Sequence, residues 1–176
     1  MNFIQVETNE YNPFLIEIFS EYLEWVLSMC EKEFNVSYNV KELVKEAVER
    51  SIEEIGKYFP PKGRLILCTD ETRIIATAFM RKLGDNIGEI KRMYVQPLYR
   101  GKGIARELLE RLIKEAQSIG YTKLRLDSGP FMKEALNLYH SVGFKEIDPY
   151  AESEVLQEGI PEEISQNWIF MEMFLK

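Results

Sequence analysis

The chain has 176 residues, 45% of them apolar and 12% aromatic, which is enough for one good core with no second domain required. Its 22 basic and 29 acidic residues leave a net charge of −7, which argues against non-specific nucleic-acid binding. Two cysteines without a Cys-x-x-Cys pattern and a single histidine support neither a disulfide framework nor a zinc site, so no metal is expected.

No basic region followed by an apolar segment opens the chain, and no apolar run approaches membrane-spanning length. The expectation is therefore a cytoplasmic protein with no membrane partner. Residues 2–7 read as a short strand. Asn12-Pro13 then opens a helix with proline at its first position, and Phe14, Ile18, Tyr22, Trp25 and Met29 mark one face. A second helix is expected over about 41–58, ended by Pro60-Pro61-Lys62-Gly63. Residues 64–69, 73–83 and 87–95 are rich in β-branched side chains and separated by short turns, the pattern of an antiparallel meander.

The stretch from Ile90 to Ala105 carries the most information. It reads as a strand ending Met93-Tyr94-Val95, a turn, and a helix opening that contains Gly101, Gly103 and the cations Arg100, Lys102 and Arg106. Helix-opening N–H groups lack internal partners and the dipole adds positive charge, so an anion belongs there. Ile104, Leu108, Leu109, Leu112, Ile113 and Ala116 recur at helical spacing, and Gly120 closes the helix. A P-loop is excluded because Gly103 follows Lys102, where that motif needs Ser or Thr. A dinucleotide fingerprint fails because Arg106 stands at its third glycine.

Arg100-x-x-Gly103-x-Ala105 after a hydrophobic strand resembles the pyrophosphate loop of the GNAT superfamily of N-acetyltransferases. A strand over 122–127, a helix over 130–142 and the run Ala135-Leu136-Asn137-Leu138-Tyr139-His140-Ser141-Val142-Gly143-Phe144 resemble that family's next elements in order. Met132 stands where many members carry Asn. A further strand, a long connection through Pro161 and a last strand over 168–175 complete an α/β (α+β) fold: a mixed, mostly antiparallel sheet of about seven strands with helices on both faces, in a single domain over 1–176.

The resemblance implies acetyl transfer from acetyl-coenzyme A to an amine of a small molecule or peptide. Arg100, Gly101, Lys102, Gly103, Ile104, Ala105 and Arg106 would hold the pyrophosphate, and the edge of Met93, Tyr94 and Val95 would pair with the pantetheine arm. A lysine-like amine of pKa about 10.4 is protonated at pH 7, a deficit of roughly 4.6 kcal/mol, so a general base is useful. Glu89 is the candidate, as in the histone-acetylating branch; an ordinary solvated strand glutamate is the open alternative. Tyr139 is the implied proton donor to the thiolate, and core packing on its helical face is its alternative. His140 points away from it and reads as rim.

For the acceptor, the resemblance points to Tyr22, Trp25 and the segment 147–168. That segment bears Asp148, Glu152, Glu154, Glu158, Glu162 and Glu163 around Tyr150, a pattern that suits a cationic acceptor or is simply a solvated acidic loop. A catalytically silent acyl-coenzyme A-binding regulatory domain is the alternative function, and the hydrophobic last strand suggests an edge for a homodimer.

Overall fold

A computed structural model describes residues 1–157 and 161–176. Its strands are β1 (Asn2–Val6), β2 (Arg64–Asp70), β3 (Arg73–Gly84), β4 (Ile87–Val95), β5 (Lys123–Ser128), β6 (Lys145–Ile147) and β7 (Ile169–Phe174), joined in one sheet in the order β1-β2-β3-β4-β5-β7-β6. The helices are α1 (Asn12–Phe34), α2 (Val40–Glu53), α3 (Ile104–Ile119), α4 (Lys133–Val142) and the short α5 (Glu154–Gln157) and α6 (Glu162–Ser165).

Strand alternation divides the core between the two faces of the sheet. Leu65, Leu67, Phe79 and Tyr94 pack with Leu15, Ile18, Phe19, Val44 and Val48 from α1 and α2. Ile66, Cys68, Ala78, Met80 and Ile90 pack with Leu108, Leu109 and Leu112 from α3. Helix bounds shift modestly from the sequence reading. A 3-10 turn over Ile55–Tyr58 follows α2, and α4 starts at Lys133 because residues 129–132 form a turn closed by Met132 N–H to Gly129 O at 3.0 Å.

Two irregularities build the site. Among the described residues β4 and β5 form the only parallel pair, joined at Ile87 with Lys123, Gly88 with Leu124 and Glu89 with Arg125; beyond Glu89 the strands part. β4 also bulges: Thr77 faces Tyr94 while Phe79 faces Lys91, so β4 spends one residue more than β3. Arg92 takes φ 47° there, and its carbonyl accepts from the Thr77 hydroxyl at 2.8 Å. β7 corrects the dimer-edge expectation. It lies inside the sheet, paired with β5 along its length and with β6 at Phe170, Met171 and Glu172.

Candidate active site

The parting of β4 and β5 leaves a groove on one side and a cavity on the other. The groove, of about 540 Å³, is lined by Met93, Tyr94, Val95, Arg100, Gly101, Gly103, Ile104, Ala105 and Arg106 with Trp25, Tyr99 and several α4 residues. Gly101 and Gly103 adopt φ 74° and 80°, and a Cβ on either would meet no atom within 4 Å. Their backbone therefore turns open space towards the start of α3, the arrangement an oxygen-rich anion needs. The Arg100 guanidinium is fixed at the mouth, donating to Val95 O at 3.0 Å and stacked 5.4 Å over Trp25 and 5.6 Å over Tyr94. Lys102 lies 4.8 Å over Tyr99, and Arg106 donates to the Ser141 hydroxyl at 2.8 Å.

The cavity, of about 180 Å³, is lined by Tyr22, Ser51, Lys91, Arg92, Met93, Asp127, Ser128, Met132, Ala135, Tyr139, Glu154 and Trp168 among others. Charge concentrates at the fork. Lys91 Nζ lies 3.0 Å from Asp127 and 3.5 Å from Glu154; Arg81 lies 2.5 Å from Glu154 and 2.6 Å from Glu89. Burial alone would lower the Lys91 pKa, but Asp127, Glu89 and Glu154 hold it above its ordinary range. Burial also pushes Glu154 up, and Lys91 and Arg81 more than reverse this, leaving it below the usual carboxylate value.

Tyr139 joins the two compartments, because it lines both the groove and the cavity. Its ring packs 5.9 Å from Phe144, and the residue is 6% exposed. Its hydroxyl has no hydrogen-bond partner among the described residues, whereas the buried hydroxyls of Tyr58, Tyr94, Tyr121 and Tyr150 all have one. Burial, with smaller contributions from Tyr22 and Asp127, pushes its pKa upward, so the phenol stays protonated at neutral pH. Core packing and an available O–H therefore coexist in one residue.

Glu89 is not a solvated strand glutamate. It is 0% exposed; Arg81 Nε binds one oxygen at 2.6 Å and the Tyr150 hydroxyl donates to the other at 2.9 Å. Burial raises its pKa more than Lys91 and Arg81 lower it. The expected acceptor residues divide, with Tyr22 facing the cavity and Trp25 the groove. The picture of an acidic loop fails at its centre: Glu154 and Tyr150 turn inward onto Arg81, Lys91 and Glu89, while Asp148, Glu152 and Glu162 are exposed and Glu158 lies outside the described residues. His140 is a rim residue, 3.2 Å from Glu146.

Sequence reasoning missed Asp127, Lys91 and Arg81, whereas Trp168 ends the segment it assigned to the acceptor site. The available signal was Asp127 itself, a charge ending a strand whose Leu124 and Leu126 are core, just before Ser128-Gly129-Pro130. No group of metal-ligating side chains occurs among the described residues, and no described helix is long and apolar enough to cross a membrane.

A sheet forked beside a glycine turn at a helix start is the architecture of an acyltransferase fold, and comparison with known proteins agrees. The acetyltransferase (GNAT) family matches residues 28–144, more than half of the chain, and the chain belongs to that family. It is similar to an uncharacterized N-acetyltransferase of Schizosaccharomyces pombe, 34% identical over 96 residues that cover 53% of this chain and 59% of the relative. An IAA acetyltransferase of Azospirillum brasilense is 43% identical over 63 residues, covering 36% of this chain and 41% of that one. The chain thus spans about half the length of these relatives. The fold matches that of a PaiA N-acetyltransferase from Thermoplasma acidophilum in complex with coenzyme A, with TM-score 0.72, 17% identity and 99% of both chains covered.

Proposed function

We propose that this protein transfers an acetyl group from acetyl-coenzyme A to the nitrogen of a primary amine on a small molecule or peptide. The observation that carries the reading is the unpartnered Tyr139 hydroxyl where the glycine-turn groove meets the acceptor cavity. In support, the family is one of acetyltransferases, and a structural neighbour is in complex with coenzyme A.

The open backbone at Gly101 and Gly103 binds the pyrophosphate, with Arg100, Lys102 and Arg106 adding charge. Met93, Tyr94 and Val95 present the strand edge that pairs with the pantetheine amides. The acceptor arrives as an ammonium and gives one proton to the carboxylate cluster at the fork, of which Glu89 is the deepest member. The freed lone pair forms the C–N bond as the C–S bond breaks. Tyr139 supplies the proton to sulfur, and the second proton leaving nitrogen replaces it. The products are the acetamide, the free thiol and one released proton.

A two-stage experiment tests this. Acetyl-coenzyme A should raise the melting temperature while NAD and ATP do not, since a ligand at a hundred times its Kd stabilises by about 2.7 kcal/mol. Thiol release should then appear with some members of a panel of alkylamines, amino acids, polyamines, aminoglycosides and lysine peptides. Equal shifts with all three nucleotides would sink the site assignment. Binding without release over the whole panel would favour a silent acyl-coenzyme A-binding regulatory domain.

A further inference from the structure

We infer that Asp127 is the residue that receives the acceptor's nitrogen. This rests on the transferase reading above and assigns one of its steps to a side chain. Two positions past the last backbone pairing at Glu89 and Arg125, and on the same side of the strands, stand Lys91 and Asp127, and here a side-chain ion pair of 3.0 Å replaces the ladder. Asp127 therefore stands at the point where the strands open, and it lines the cavity together with Tyr139.

Its carboxylate is held in place from three directions. Oδ2 accepts from Lys91 at 3.0 Å and from the Ser153 hydroxyl at 3.2 Å, and Oδ1 accepts from Trp168 Nε1 at 3.1 Å. A carboxylate offers about four acceptor sites, so one remains for an N–H donor. Glu89 has no such role at first contact, because it is 0% exposed and, unlike Asp127, is not among the residues that line the cavity. Glu154 is drawn to Arg81 and Lys91. The second observation is independent of the cluster: Tyr139, 6% exposed and with a hydroxyl that has no partner among the described residues, lines the same cavity. Asp127 holds the nitrogen and takes its first proton.

The test compares two acceptors at saturating acetyl-coenzyme A, followed by thiol release: ethylamine, protonated at pH 7, and hydroxylamine, already neutral there. Wild-type turnover tests the transferase reading; the variants test the assignment. Asp127→Asn should lower kcat/KM for ethylamine by roughly 10²-fold or more, the scale of a lost proton acceptor, and leave hydroxylamine within a few-fold. Asp127→Glu, which restores a carboxylate, should recover part of the ethylamine rate. The acetyl-coenzyme A melting shift of both variants should match wild type, which separates the effect from misfolding. Equal losses with both amines would reduce Asp127 to a structural partner of Lys91. An undiminished ethylamine rate, or a wild-type enzyme that accepts hydroxylamine and rejects ethylamine, would overturn the assignment.

Discussion

Arg81 and Glu89 face each other across β3 and β4, with Nε 2.6 Å from Oε2 in a pair whose side chains are 12% and 0% exposed. Glu89→Gln removes the charge and leaves Arg81 with Glu154, 2.5 Å from its other nitrogen. Breaking a buried pair on one side typically costs about 3–5 kcal/mol, and the second carboxylate places the expectation at the lower end. Urea unfolding at pH 7 measures it; a loss under about 1 kcal/mol would mean that Glu154 alone satisfies Arg81. If Glu89 also serves as the base, the variant's activity should recover as pH rises towards the amine's own pKa, and a parallel decline at every pH would assign it a structural part.

Glu154 makes stability depend on acid in a defined direction. Its folded pKa lies below its ordinary value, so the unfolded chain binds the proton more readily and stability rises with pH through this range. The contribution is fully present above the unfolded pKa, about 4.3, and is lost as pH falls through the lower folded value. Glu154→Gln should therefore be less stable than wild type at pH 7, and the two should converge as pH falls below about 4.3 and through the lower folded value. A constant gap over that interval, in melting temperature against pH, would contradict the sign.

These two carboxylates mark where the sequence stopped being readable. The strands, α3 and the glycine turn were legible because their signals are local: β-branched runs, helical spacing and glycines at a helix start. The inward turn of residues 150–154 depends on partners far along the chain, such as Tyr150 with Glu89, 61 residues apart. Composition there reads as a solvated acidic loop because it cannot register that Arg81 and Lys91 lie beneath. The bulge in β4 was equally hidden, since Arg92 carries a positive φ that no residue type announces. Tyr139 is a candidate through its Leu-Tyr-x-x-x-Gly-Phe context, but the lack of a partner for its hydroxyl among the described residues is a property of the packed fold.

Gly103 tests the anion cradle in two steps. Gly103→Ala keeps an uncharged surface but forces a Cβ into φ 80°, which should cost roughly 1–2 kcal/mol of stability. Because that Cβ meets no atom within 4 Å, the acetyl-coenzyme A melting shift should shrink and survive. Gly103→Glu adds a carboxylate where the pyrophosphate belongs and should abolish the shift. Retention of the full shift in the charged variant would move the phosphate site away from the start of α3.

Tyr139→Phe isolates the proton-transfer role, because it keeps the ring against Phe144 and removes only an oxygen that has no partner among the described residues. Loss of an unpartnered hydroxyl leaves no donor or acceptor stranded, so unfolding free energy should change by less than about 1 kcal/mol. Acetyl-coenzyme A affinity should also hold, since the pyrophosphate turn and the β4 edge are untouched. The maximal rate should fall by roughly 10²- to 10⁴-fold, the range for loss of a general acid. Burial keeps the wild-type phenol protonated past its ordinary range, so the variant's deficit relative to wild type should stay constant at every pH below about 10. That pattern is opposite to the one expected of a lost base, where alkaline pH supplies the neutral amine. A Tyr139→Phe enzyme with an undiminished rate, measured where chemistry limits turnover, would leave the residue only its place in the core.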